Sequence, residues 1–214
     1  MAASASVRPS ARDQLLAAGR EIVLKRGFQD LTVREVAATA GANLGSFVYH
    51  FGTRDAFMRA LIEAWYAPLL SRVTDVADSR GSAIDRLRRA ILQLVDFGAE
   101  QDAFIGRLLM AAAGGEKAAR EFARSLAGRH PRLLVELISQ AQSEGALVRE
   151  HPLQVLCFLM ASVGLPRLLS SAWQGPPLFG KTVSATLSQI ARDRHRIVQR
   201  LEWAIRGLTP QGPS

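Results

Sequence analysis

The sequence predicts an all-α protein, and three observations carry that prediction. Apolar residues recur at three- and four-residue spacing along most of the chain, the period of a helix with one buried face. Capping residues and glycines break those stripes at helix-length intervals. No alternation of Val, Ile and Thr is long enough for a strand. A hydrophobic share of 48% over 214 residues supplies a sizeable core and excludes wholesale disorder.

The elements follow in order. Residues 1–10 are small and polar, with a proline at 9, and are expected to form a mobile arm. Ser10 caps a first helix whose stripe is Leu15, Gly19, Ile22 and Val23. It ends at Gly27, after Lys25 and Arg26, two cations suited to the negative end of the helix dipole. Thr32-Val33-Arg34-Glu35 reads as a capping box, in which hydroxyl and carboxylate each satisfy an unpaired backbone N–H. Val33, Val36, Ala37 and Ala40 line that short second helix, and Gly41 stops it. A third short helix runs from Leu44 to His50 before Gly52, and Thr53 caps a long fourth helix over 54–77. Further stripes lie at 82–100, 102–113, 116–127, 131–144, 152–172 and 183–206. Gly81, Gly114-Gly115, Gly128 with Pro131, Gly145, Pro152 and Gly175-Pro176-Pro177 separate them.

Composition narrows the function classes. The net charge is +8, with +2 on residues 1–55 and +6 on the rest. By total charge nucleic acid is a plausible partner, although the distribution does not locate it. No uncharged run of 18 apolar residues exists, so no membrane span is expected. The opening MAASASVRPSAR lacks the apolar core of a signal peptide, and a single Cys157 excludes an intramolecular disulfide; both fit a cytoplasmic protein. Within Val155–Met160, Cys157 reads as a small buried hydrophobe. No glycine-rich phosphate loop or local nucleophile signature is present, and His50, His130, His151 and His195 lack metal-ligand spacing. No catalytic residue, metal or cofactor is therefore expected.

Two short helices around Gly41-Ala42-Asn43 match the helix-turn-helix pattern, whose second helix enters the DNA major groove. The segment Leu31 to Phe51 closely resembles the DNA-binding signature of TetR-family transcriptional regulators. The likeness extends back through Ala17, Ile22, Gly27 and Phe28, and forward through Thr53 to Phe57. The segment Glu144 to Pro152 also looks like the join before that family's dimerisation helices.

The resemblance implies a role for each matching position. Thr32 would meet a phosphate, and Arg34 a phosphate or a base. Asn43, Leu44, Ser46 and Val48 fall at groove-facing positions. Tyr49 and His50 match an aromatic-His pair that grips the DNA backbone, and Arg54 a basic residue beside a phosphate. Phe47 and Phe51 match core positions. Leu44 and Val48 stand where many members carry polar groups or tyrosine, so they offer apolar contact to thymine methyls rather than hydrogen bonds. Asn43 and Ser46 read equally well as helix caps.

The resemblance further implies an N-terminal domain over 11–55 and a larger helical domain over 56–206 that binds an effector and dimerises, with a tail at 207–214. Helix 152–172 is apolar around much of its circumference and so requires burial on two sides. A homodimer interface is expected from 152–172 and 183–206, and a palindromic operator with it. Pocket candidates are Phe97, Phe104, Leu108, Met110 and Phe122, with Leu126, Leu137, Phe158 and Trp173, each also a natural core residue. Such a lining suits a small apolar or aromatic effector. Helix 54–77 links the two sites through Trp65, Tyr66 and Leu69. The competing reading is a helical protein–protein adaptor with a vestigial helix-turn-helix.

Overall fold

The computed structural model describes residues 10–171 and 180–210, and every regular element among them is helical. These are α1 (Ala11–Arg26), α2 (Val33–Thr39), α3 (Leu44–Phe51), α4 (Arg54–Ala77), α5 (Ala83–Glu100), α6 (Asp102–Ala113) and α7 (Lys117–Ser125). A 3-10 turn over Leu126–Gly128 follows, then α8 (His130–Ser143), α9 (Pro152–Ser171), α10 (Gly180–Arg192) and α11 (Arg194–Gly207). No described helix is long and apolar enough to cross a membrane.

The chain divides into two compact units, Met1–Pro68 with Gln101–Ala127, and Leu69–Glu100 with Gly128–Ser214. The first division falls inside α4, immediately after Pro68. Proline has no N–H to give the carbonyl four residues back, so the helix ladder is interrupted there.

In the first unit, Leu15, Val23, Phe28, Leu31, Val36, Phe47 and Phe57 form the floor of the core. A Cβ at position 19 would collide with the Phe57 ring. Only glycine lets the α1 backbone come so close to that ring. In the second unit α5 packs on α8, α8 on α9, and α9 against α10 and α11. The buried Gln142 donates to the carbonyls of Val148 (2.8 Å) and Glu150 (2.7 Å), which fixes the turn into α9.

Three expectations change. The stripe over 183–206 is two helices rather than one, because the Asp193 side chain accepts from the N–H groups of His195 (2.9 Å) and Arg196 (3.3 Å) and starts α11 afresh. In an unbroken helix the Ile190 carbonyl would accept from residue 194; here it accepts from Arg200 Nη1 at 3.1 Å. Pro166 likewise has no N–H for the Ser162 carbonyl, which accepts from Arg200 Nε at 3.1 Å. Arg200 thus fills two gaps in the backbone ladder, and its burial lowers its pKa from the usual arginine value, with Asp193 partly opposing.

The other two are local. Only half of the capping box forms: Thr32 Oγ1 accepts from the Glu35 N–H at 3.3 Å, while the Glu35 carboxylate accepts from Arg26. Cys157 is exposed rather than buried, on the outer side of α9.

Candidate nucleic-acid interface

Helices α2 and α3 are placed by local chemistry. Thr32 caps the first, and Gly41 takes the left-handed conformation (φ +64°) that turns the chain. Asn43 Oδ1 then accepts from the Ser46 N–H at 2.8 Å and starts α3. Phe47 is fully buried, with its ring 5.1 Å from Phe57 and 5.5 Å from Phe51. The Arg12 guanidinium lies over Phe51, 5.5 Å from its ring centre, an arrangement in which the cation meets the negative face of the ring. These contacts set the rotation of α3 about its axis.

The opposite side of α3 faces solvent. Leu44 and Val48 are exposed one turn apart, and Tyr49 is 85% exposed with its ring edge-on to half-buried His50 at 5.0 Å. Thr32, Arg34 and Asn43 are also exposed, and Ser46 is half-buried. Eight of the nine sequence-selected positions therefore lie on α2, on α3 or at their caps. With Oδ1 held by the cap, Asn43 has its amide nitrogen as its outward polar group.

Arg54 is the exception. Its Nη2 donates to the Phe28 carbonyl (2.7 Å), its Nε to the Leu31 carbonyl (2.9 Å), and its Nη1 to Glu116 Oε2 (3.2 Å). Three bonds hold the guanidinium within the unit, where the resemblance implied a phosphate contact. Glu116, just before α7, was not singled out by sequence reasoning; nothing local links it to a partner 62 positions earlier.

The pocket candidates fall in both units. Phe104 and Phe122 join Trp65 and Tyr66 in an aromatic cluster of the first unit, with Trp65 stacked on Phe104 at 4.7 Å and Tyr66 edge-on to Phe122 at 5.1 Å. Leu108 is buried in the same unit, whereas buried Phe97 and Leu137 belong to the other. Leu126 is half-buried in the 3-10 turn. Met110 and Phe158 are 71% and 50% exposed, each on the outer side of its helix. Trp173 lies outside the described residues. An open cleft of about 360 Å³ does exist in the second unit, lined by Leu70, Thr74, Gly128, Arg129, Arg132, Leu133 and Glu136, none of them a sequence-selected residue. Among the described residues no three His, Cys, Asp or Glu side chains gather as a metal site.

Comparison with known proteins matches the geometry. Residues 15–61 fit the family model of bacterial regulatory proteins, tetR family. The transcriptional repressor NemR of Escherichia coli (strain K12) is 29% identical over 171 residues, covering 79% of this chain and 83% of NemR. The transcriptional repressor DhaR of Mycobacterium sp. (strain GP1) is 22% identical over 205 residues, 95% of this chain and 94% of DhaR. The fold resembles that of the SmeT–triclosan complex, with a TM-score of 0.67 at 18% identity over 95% of this chain and 94% of that one.

Proposed function

Because the chain belongs to the TetR family of bacterial regulatory proteins, we propose that it is a ligand-responsive transcriptional repressor acting on operator DNA in the cytoplasm. One observation carries the reading. Helix α3 buries Phe47 and presents Leu44, Val48 and Tyr49 to solvent, beside exposed Thr32 and Arg34. A two-turn helix with an unpartnered outer face, held rigidly by a turn and a cap, has the dimensions for insertion into a major groove. Tyr49, His50 and Thr32 then grip the backbone, while Leu44 and Val48 meet thymine methyls.

One such helix makes too few base contacts for tight binding, and two are needed about 34–36 Å apart on a palindromic duplex. The second copy docks on α9, α10 and α11. In support, α9 is two-sided: Val155, Leu156, Leu159 and Val163 are buried, while Leu153, Cys157, Phe158 and Leu165 are exposed on its outer side. The effector is a small apolar or aromatic molecule. Its support is the aromatic cluster of Trp65, Phe104 and Phe122, together with a structural relative described as a complex with triclosan. Linkage requires effector and operator to weaken each other's binding by the same factor, typically 5–150-fold.

A gel-shift assay with the DNA flanking the chain's own gene tests the reading. Sequence-selective binding is expected. Absence of selective binding at low salt favours the protein–protein adaptor instead.

A further inference from the structure

We propose that Arg54 and Glu116 form a positioning pair that sets the helix-turn-helix for DNA, so that Arg54 acts on operator binding through the protein rather than by touching a phosphate. The inference rests on the repressor reading above and goes one step deeper into the same site.

Arg54 is the first residue of α4, and its guanidinium bonds span three places at once. Two are the carbonyls of Phe28 and Leu31, in the loop between α1 and α2. Leu31 directly precedes Thr32, whose hydroxyl caps α2. The position of the Leu31 carbonyl therefore fixes where α2 begins, and α2 fixes α3 through the turn at Gly41. The third place is Glu116, between α6 and α7, with its side chain only 10% exposed. A carboxylate held that far from water favours a partner with full charge, and the guanidinium supplies it.

The same unit ties residues 101–127 to α1, the α1–α2 loop and α4 elsewhere. Arg20 donates to Gln101 at 2.7 Å, Arg59 pairs with Glu121 at 3.2 Å, and the Phe28 and Phe104 rings meet edge-on at 5.5 Å. Glu116 lies between the helices that carry Phe104 and Phe122, two members of the aromatic cluster. A shift of the α6–α7 corner would therefore move Glu116, and through Arg54 the start of α2.

Two readings of Arg54 predict opposite signs for one substitution. If Arg54 holds a phosphate, Glu116 competes for its charge, and Glu116→Gln leaves binding unchanged or tightens it. If the pair positions the helices, Glu116→Gln weakens binding, by about fivefold at the low end of usual coupling between sites.

The test uses the full chain, a duplex enriched from a random pool by the wild-type protein, and the variants Glu116→Gln, Arg54→Gln, Arg54→Lys and Arg54→Gln with Glu116→Gln. Expected are a weakened Glu116→Gln, an Arg54→Lys as weak as Arg54→Gln, a double variant no weaker than the weaker single one, and a salt slope equal to wild type throughout. Overturning results are an Arg54→Lys equal to wild type, or an Arg54→Gln slope lower by about one counterion. Hydrogen exchange on the DNA-free protein gives a second readout. Amides of residues 33–51 should exchange faster in Glu116→Gln, and unchanged exchange there overturns the pair. If no duplex is enriched while exchange does accelerate, the repressor reading fails, and with it the role in operator binding, while the pair's placing of α2 and α3 stands.

Discussion

Arg54 and Arg200 both fill backbone carbonyls, but in two different settings. In the first unit Arg54 takes the carbonyls of Phe28 and Leu31 and adds the Glu116 carboxylate. In the second, Arg200 takes the carbonyls of Ser162 and Ile190, left over by a proline and a helix break, and makes no ion pair among the described residues. The hydrogen-bonded carboxylate is the difference that matters. A guanidinium with a carboxylate on one side links two movable segments, because the pair can be weakened without exposing the carbonyls. A guanidinium between carbonyls alone is a brace: removing it orphans the backbone outright. A similar contrast holds for exposed apolar faces. On α3 that face is two turns long with polar caps around it; on α9 it continues over Leu153, Phe158 and Leu165. The first has the size of a groove contact and the second that of a subunit interface.

Four substitutions press on this contrast. Phe158→Glu inserts a charge into the proposed α9 interface and should raise the dimer dissociation constant by about a thousandfold, about 4 kcal/mol. Sedimentation velocity reads it, and an unchanged dimer removes α9 from the interface. Arg200→Leu orphans two carbonyls and should lower folding stability by about 3 kcal/mol in thermal melts; a change below about 0.5 kcal/mol would mean that Arg200 is no brace.

His130, at the start of α8, is held by burial at a pKa of about 4, below the ordinary 6.5. It stays neutral in the folded chain while the unfolded chain takes up a proton. His130 therefore leaves stability unaffected above pH 6.5 and lowers it as the pH falls from 6.5 to about 4, by about 3 kcal/mol. Denaturant titration from pH 7 to 4 should show this slope, and His130→Gln should flatten it. The smallest expected effect is that of Asn43→Ala, about 1 kcal/mol from the lost cap of α3. If sequence preference in a selection experiment also stays unchanged, Asn43 is a cap and nothing more.

The helix boundaries were legible because their causes are local. Ser10, Thr32, Asn43 and Thr53 each accept from a backbone N–H three residues on, and each was readable as a cap or a cap candidate. Asp193 carried the same signal, but the apolar repeat around Leu187, Ile190, Ile197 and Leu201 runs on across it and masked the break. Faces were less legible than elements. Periodicity shows that α6 and α9 have apolar residues on more than one side, without saying which side the unit itself covers; Met110, Cys157 and Phe158 fell on the outer one. Least legible was Arg54. Its role follows from Glu116, and a pairing across 62 positions leaves no trace in spacing or composition.

The central claim is that two copies of α3 read one duplex. It is tested most directly by selecting from a random duplex pool with the full-length chain and sequencing what is retained. The account predicts an inverted repeat whose half-sites lie one helical turn apart, bound by two copies of the chain and lost when Tyr49→Ala is used. Enrichment of a single unrepeated site, or of no sequence at all, would contradict it.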